Sequence, residues 1–210
     1  MLAYQPETYV RNMSTGINMR PHIINGKKNF ISGWYIDENL CDSIVEACSG
    51  RNRLKFNGRF KSSFKGYLFS QIKTLSEQLH LQYISELTKV LDLYKKEYPF
   101  LNNEMENFEI EKFEQTEFVQ LQMYDPKFSY SRLHCENTGG PEVIKRCLVF
   151  MTYLNDVDDG GGTDFPYQNI STKAEKGLTL IWPAYWTHPH QGIVSETQKK
   201  IIATGWYTFQ

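Results

Sequence analysis

Four apolar runs in the second half of the chain constrain its fold more than any other feature: EFVQLQMY (117–124), RCLVFMTYL (146–154), LTLIW (178–182) and KIIATGWYTF (200–209). The first alternates apolar and polar residues as a half-buried strand does, while the second has the near-continuous apolarity of a fully buried one. Gly160 to Gly162, Lys176-Gly177 and Gly192 are turn signals among these runs. Before Pro99 the period is helical instead. Asp37 is placed to cap a helix carried by Leu40, Ile44, Val45 and Cys48, and Gly50 is its natural stop. A second helical region is expected from Tyr67 to Tyr98, on Leu68, Ile72, Leu75, Leu79, Ile84, Leu87, Val90, Leu91 and Tyr94. Short β-like pieces fall around His22 to Ile24 and Phe30 to Tyr35. Helices followed by many short strands predict an α+β chain whose β half is a sandwich or barrel.

Length and charge narrow the function classes. The 210 residues suit one domain with a sizeable core, and 23 Lys plus Arg against 24 Asp plus Glu give no global field that would draw nucleic acid or an anionic membrane. No run approaches the roughly 18 apolar residues of a membrane helix, and MLAYQPETYV lacks the pattern of a secretory signal, so the expectation is a cytoplasmic protein with no membrane partner. Cys41, Cys48, Cys135 and Cys147 form no CxxC pair and are expected to be reduced thiols. An aromatic content of 14% fits a β-rich core or an aromatic-lined pocket.

The segment LHCEN (133–137) holds the first candidate for chemistry. In extended backbone His134 and Glu136 share a face, because side chains alternate with period two. A facial triad of two histidines and one carboxylate on Fe(II) needs such a pair, yet HxE is common by chance and alone reads as a solvated surface pair. The third ligand decides. It is sought in WTHPHQG (186–192), where His188 and His190 also share a face, so that spacing leaves both open.

From Glu117 to Tyr207 the chain resembles the Fe(II)- and 2-oxoglutarate-dependent dioxygenases, in their prolyl 4-hydroxylase-like branch. The motifs that carry the resemblance, in order, are HCE (134–136), YLNDV (153–157), GGGTDFP (160–166), GLTLIW (177–182), HQG (190–192), Lys200 and ATGW (203–206). It departs from the commoner pattern in having Glu136 where Asp is usual. The resemblance implies a double-stranded β-helix (jelly-roll, cupin-like) core over about residues 100–210, buttressed by helices within 1–99, in one domain. It implies Fe(II) held by His134, Glu136 and His190, and 2-oxoglutarate and O2 as co-substrates with ascorbate as reductant. The family spacing from the distal histidine to a basic residue selects His190 with Lys200, which leaves His188 at the rim or in a structural role and Lys199 on the opposite face. Lys200 would neutralise the far carboxylate of 2-oxoglutarate, with Tyr124 or Thr163 adding a hydroxyl. Arg146 matches a family position but receives no ligand role.

The implied reaction is hydroxylation with release of succinate and CO2, its first expected substrate a peptide and, within that class, a prolyl one. A nucleic acid or a small molecule are the alternatives, as is an inactive metal-binding module. The basic, Phe-bearing stretch 51–66 would suit phosphates and stacked bases, but in a neutral chain it reads more readily as a solvated loop. The glutamates of 104–117 would complement it.

Overall fold

The computed structural model describes residues 19–22, 24, 29–49, 67–103, 105, 108–113 and 116–210. The basic stretch 51–66 lies outside them, as do Glu104, Glu106 and Glu114. In chain order the elements are β1 (Pro21–His22), β2 (Ser32–Tyr35), α1 (Glu38–Ser49), β3 (Tyr67–Gln71), α2 (Ile72–Leu75), α3 (Glu77–Glu97) and α4 (Pro99–Asn103). There follow β4 (Phe108–Ile110), β5 (Lys112–Phe113), β6 (Thr116–Glu117), β7 (Gln120–Tyr124), β8 (Arg146–Tyr153), β9 (Thr163–Phe165), β10 (Ile170–Ser171), β11 (Leu178–Pro183), β12 (Gln191–Gly192) and β13 (Lys200–Phe209).

An antiparallel 8-stranded sheet runs β1-β2-β11-β8-β13-β7-β3, with β4 also paired to β13. A second, 3-stranded sheet is ordered β10-β9-β12, and β5 and β6 form a small hairpin. The four apolar runs of the sequence thus become β7, β8, β11 and β13, neighbours in one sheet although far apart in the chain. Strand alternation divides their side chains between two cores. Leu148 and Phe150 of β8, and Ile201, Ala203 and Tyr207 of β13, pack with Leu40, Cys41 and Ile44 of α1 and Tyr83, Leu87, Val90 and Tyr94 of α3. Val149, Met151 and Tyr153 of β8, and Ile202 and Trp206 of β13, face the other way and pack with Phe165 of the small sheet.

Asp37 caps α1 as expected, its carboxylate accepting from Asn39 N–H at 2.9 Å. The second helical region is shorter than its pattern suggested. Residues 67–71 are an edge strand paired residue for residue with β7 (Tyr67↔Tyr124 to Gln71↔Gln120), and the long helix begins after Ser76, whose hydroxyl accepts from Leu79 N–H. YLFSQ is rich in residues that suit a pleated surface, and pairing with β7 overrides the helical period. The first hundred residues therefore contribute β1, β2 and β3 to the major sheet as well as the helices on its back. Among the described residues, no helix is long and apolar enough to cross a membrane.

Candidate metal and co-substrate site

His134 and Glu136 lie in the connection between β7 and β8, and His190 immediately precedes β12. Backbone bonds join the two segments: His134 N–H donates to His190 O at 3.1 Å and His190 N–H to His134 O at 2.9 Å, an isolated antiparallel bridge. Glu136 N–H and Asn137 N–H both donate to Ala184 O, at 3.0 and 2.8 Å, while the Asn137 amide donates to Ile144 O and Arg146 O. The irregular connection is thereby fixed at both ends of HCE. Cys135, between the two, turns its thiol to Asn137 O.

The donor atoms of His134, Glu136 and His190 all lie within 4.8 Å of one another. His134 Nδ1 is 2.8 Å from Arg132 O and His190 Nδ1 is 3.1 Å from His188 O. A carbonyl only accepts, so each Nδ1 carries the hydrogen and each Nε2 presents a lone pair. Those lone pairs face one carboxylate oxygen: Glu136 Oε1 is 3.1 Å from His134 Nε2 and 3.6 Å from His190 Nε2. Burial alone would push the Glu136 carboxyl up, but with no cation between them the two imidazoles, when protonated, donate to it and hold the group below the usual carboxylate range by hydrogen bonding and charge. Two nitrogen lone pairs and an anionic oxygen converging on one point are satisfied by a cation among them. Two imidazoles and one carboxylate are a donor set that fits Fe(II) with positions left over for other ligands. Trp182 meets the His190 ring edge-on at 5.0 Å, Phe165 lies at 5.7 Å, and Tyr130 packs on His134 at 4.2 Å, an apolar collar that fixes both rings.

These three residues open into a cavity of about 330 Å³ that Tyr124, Thr163 and Lys200 also line. Lys200, the first residue of β13, is 5% exposed and has no carboxylate within ion-pair distance among the described residues. Its ammonium lies 5.3 Å from the centre of the Tyr124 ring, its pairing partner on β7. Burial lowers its pKa to about 8. Lys199, on the other face, pairs with Asp125 at 3.1 Å. The Tyr124 hydroxyl donates to Gln122 Oε1 at 2.7 Å, and the Thr163 hydroxyl bonds Tyr153 OH at 2.8 Å. His188 is not in the cluster. It is buried, its Nε2–H donates to Asn29 O at 2.9 Å and its Nδ1 meets Thr187 Oγ1 at 2.9 Å, so it ties the 187–188 turn to the N-terminal segment; burial lowers its pKa.

Two neighbours of the cluster were not assigned roles from the sequence. Trp206 Nε1–H donates to Glu136 Oε2 at 2.9 Å, and Arg146 Nη1 lies 3.7 Å from the same oxygen. Strand periodicity contains the signal: Lys200, Ile202, Thr204 and Trp206 alternate along β13 onto the cavity face, as Gln120, Gln122 and Tyr124 do along β7. Of the glutamates of 104–117, Glu109 pairs with Lys112 three residues on, Glu111 with Arg146 and Glu117 with His80.

Residues 119–208 match the family model of the 2OG-Fe(II) oxygenase superfamily, and this part of the chain is a 2OG-Fe(II) oxygenase domain. The matched domain is that of an iron enzyme whose co-substrates are 2-oxoglutarate and O2, and the fold is prolyl 4-hydroxylase-like. Among solved structures it is similar to a Pseudomonas putida prolyl-4-hydroxylase at 17% identity and TM-score 0.64, over 87% of this chain and 94% of that one. A Trichoplax adhaerens prolyl hydroxylase, in complex with a hypoxia inducible factor peptide fragment, gives 18% identity and TM-score 0.57 over 86% and 84%. A viral collagen prolyl hydroxylase from Paramecium Bursaria Chlorella virus-1, as its 2OG complex, gives 19% and 0.52 over 88% and 97%. Comparison with curated protein sequences gives no significant match.

Proposed function

We propose that His134 Nε2, Glu136 Oε1 and His190 Nε2 hold Fe(II), that Lys200 receives the far carboxylate of 2-oxoglutarate, and that the enzyme hydroxylates a peptidyl, first of all prolyl, substrate. The observation that carries this reading is the joint presence, in one cavity, of three converging donors and a buried lysine with no acidic partner among the described residues. A compact ammonium in a dry wall gains most from an anion that enters with the co-substrate. Tyr124 and Thr163 flank that position as polar wall residues. We read the major and minor sheets as the two layers of a double-stranded β-helix with iron between them and the helices as its buttress.

Bound iron supplies O2 activation coupled to decarboxylation of 2-oxoglutarate to succinate and CO2. The protein's own contribution is placement. Nδ1–H bonds to backbone carbonyls lock both imidazoles with Nε2 inward, Trp182 and Phe165 exclude water behind His190, and Lys200 orients the keto acid by its distal end. A peptidyl substrate is supported by the peptide fragment held in the complex of the similarly folded Trichoplax enzyme. A nucleic acid or small molecule is the second reading, and catalogued peptide and nucleotide substrates compared for succinate release separate the two.

The test is anaerobic titration of the purified chain with Fe(II) and 2-oxoglutarate, monitored for the weak visible charge-transfer absorption of a chelated keto acid. His190→Ala is expected to abolish the band and His188→Ala to retain it. Absence of the band, together with no succinate after air is admitted, would sink the proposal.

A further inference from the structure

We propose that Trp206 and Arg146 form a positioning clamp that fits the site to glutamate as its carboxylate. The inference rests on the reading that His134, Glu136 and His190 hold the metal. It begins with a division of labour between the two oxygens of Glu136. Oε1 faces both imidazoles, at 3.1 and 3.6 Å, whereas Oε2 is turned back, accepting from Trp206 Nε1–H at 2.9 Å with Arg146 Nη1 3.7 Å away. One oxygen is presented to the metal position and the other is held by the protein.

The clamp is itself held. Arg146 donates from Nε and Nη2 to Glu111, at 3.1 and 3.3 Å, and its guanidinium lies 3.6 Å over the Trp206 ring. Trp206 also stacks on Phe118, the ring planes 17° apart. Two strands therefore converge on one carboxylate, through Arg146 beginning β8 and Trp206 within β13, while Glu111, between β4 and β5, braces Arg146 from behind. At the other end, Glu136 N–H is fixed on Ala184 O at 3.0 Å. A glutamate has one more rotatable bond than an aspartate, and a free glutamate would have to order it on binding the metal. With both its backbone and Oε2 tethered, the side chain spans from Ala184 to Trp206 with Oε1 already aimed. An aspartate starting from the same backbone is one methylene short and cannot meet the indole N–H and the metal position together. The extra length of Glu136 and the donor on Trp206 are thus matched parts.

The test uses Co(II) or Mn(II), redox-stable stand-ins for Fe(II), titrated into the full chain and followed by visible absorption or paramagnetic resonance. Trp206→Phe keeps an aromatic face for Arg146 and Phe118 but removes the N–H, and metal affinity should fall about 10- to 100-fold. Glu136→Asp should weaken binding to a similar degree in the parent chain but by less than about threefold when combined with W206F, since the shortened arm then loses nothing the phenylalanine had offered. Arg146→Lys, which leaves Trp206 in place but loses the planar fork on Glu111, carries the same comparison should W206F fail to fold. Its expected effect is a several-fold loss with the same shrinkage of the E136D penalty. A parent chain that takes up neither ion overturns the metal reading and the clamp together. A parent chain that binds, with W206F and R146K equally tight, or with an E136D penalty identical in every background, overturns the clamp alone.

Discussion

At the scale of single residues, Lys200 states the tension between stability and function most sharply. Its pKa in the folded chain is about 8, against 10.5 for an ordinary lysine, because burial disfavours the charged form. Between those two values the unfolded chain binds more protons than the folded one, so this residue makes stability rise with pH across that window and penalises the fold below it. The buried thiols Cys41 and Cys147, pushed up to about 12, act in the opposite sense once pH passes the ordinary thiol value of 9.0. The informative quantity is therefore a difference. Lys200→Met is expected to stabilise the metal-free chain by about 1–3 kcal/mol at pH 7, with the gain shrinking toward pH 10. Urea denaturation of both proteins across that range checks it, and the same variant should require far more 2-oxoglutarate for succinate release. A gain that does not shrink with pH would show that Lys200 is not buried as a charge. His188 gives the contrasting case of a histidine whose value is structural. His188→Ala should cost about 1–3 kcal/mol, since Asn29 O and Thr187 lose a buried partner, while metal uptake is unchanged.

At the scale of elements, β13 carries both cores and the cavity on one ten-residue strand. Lys200, Ile202, Thr204 and Trp206 face the cavity, and Ile201, Ala203 and Tyr207 face the helices. Gly205 interrupts the second series because there is no room: a Cβ there would lie 2.4 Å from Phe150 Cζ and 2.7 Å from Phe118 O. Gly205→Ala should therefore strain the β8–β13 pairing by about 1–3 kcal/mol. A chain of this size would then melt roughly 2–12 °C lower. Thermal melting checks this, and an unchanged midpoint would mean that Phe150 yields without cost. The strands and the order of site motifs were legible in the sequence because alternation and turn glycines are local signals. The partition between His188 and His190 was not local: period-two spacing left both open and the family resemblance selected His190, and in the structure the bridge to His134 brings His190 into the cluster while His188 sits in a turn. The edge strand at 67–71 was missed for a related reason, since its partner β7 is some fifty residues away in the chain and its own pattern satisfies a helical period. Trp206 and Arg146 fell at motif positions and Trp206 on the cavity-facing alternation of β13, but neither showed its role, because an indole or guanidinium acting behind a ligand has the sequence appearance of an ordinary strand residue.

At the scale of the whole molecule, the helices matter to the site only through the sheet they support, so the joint between the layers should be where stability and site geometry are coupled. Most of that joint is apolar, Leu87 and Val90 of α3 packing with Phe150 and Tyr207 of the sheet. A buried polar chain crosses it from Tyr83 of α3 through Thr152 of β8 to Thr179 of β11, with hydroxyl contacts of 2.7 Å at each step, and ends on Gly177 O. Hydroxyls in such a chain have directional partners, which fixes the rotation of α3 against the sheet in a way that leucine contacts do not. Burial holds the Tyr83 phenol protonated well beyond the ordinary range, so the chain persists across working pH. Tyr83→Phe removes one end and leaves Thr152 bonded to Thr179, for an expected loss of about 1–2 kcal/mol. Thr152→Val removes the middle and leaves the buried Tyr83 hydroxyl without its partner, while Thr179 keeps Gly177 O, so its loss should be larger, about 2–4 kcal/mol, although it deletes the same number of polar atoms. Equilibrium urea unfolding with the slope unchanged is the measurement. Equal losses for the two variants would show that the three hydroxyls act independently, and the rotation of α3 would then be set by the apolar contacts alone.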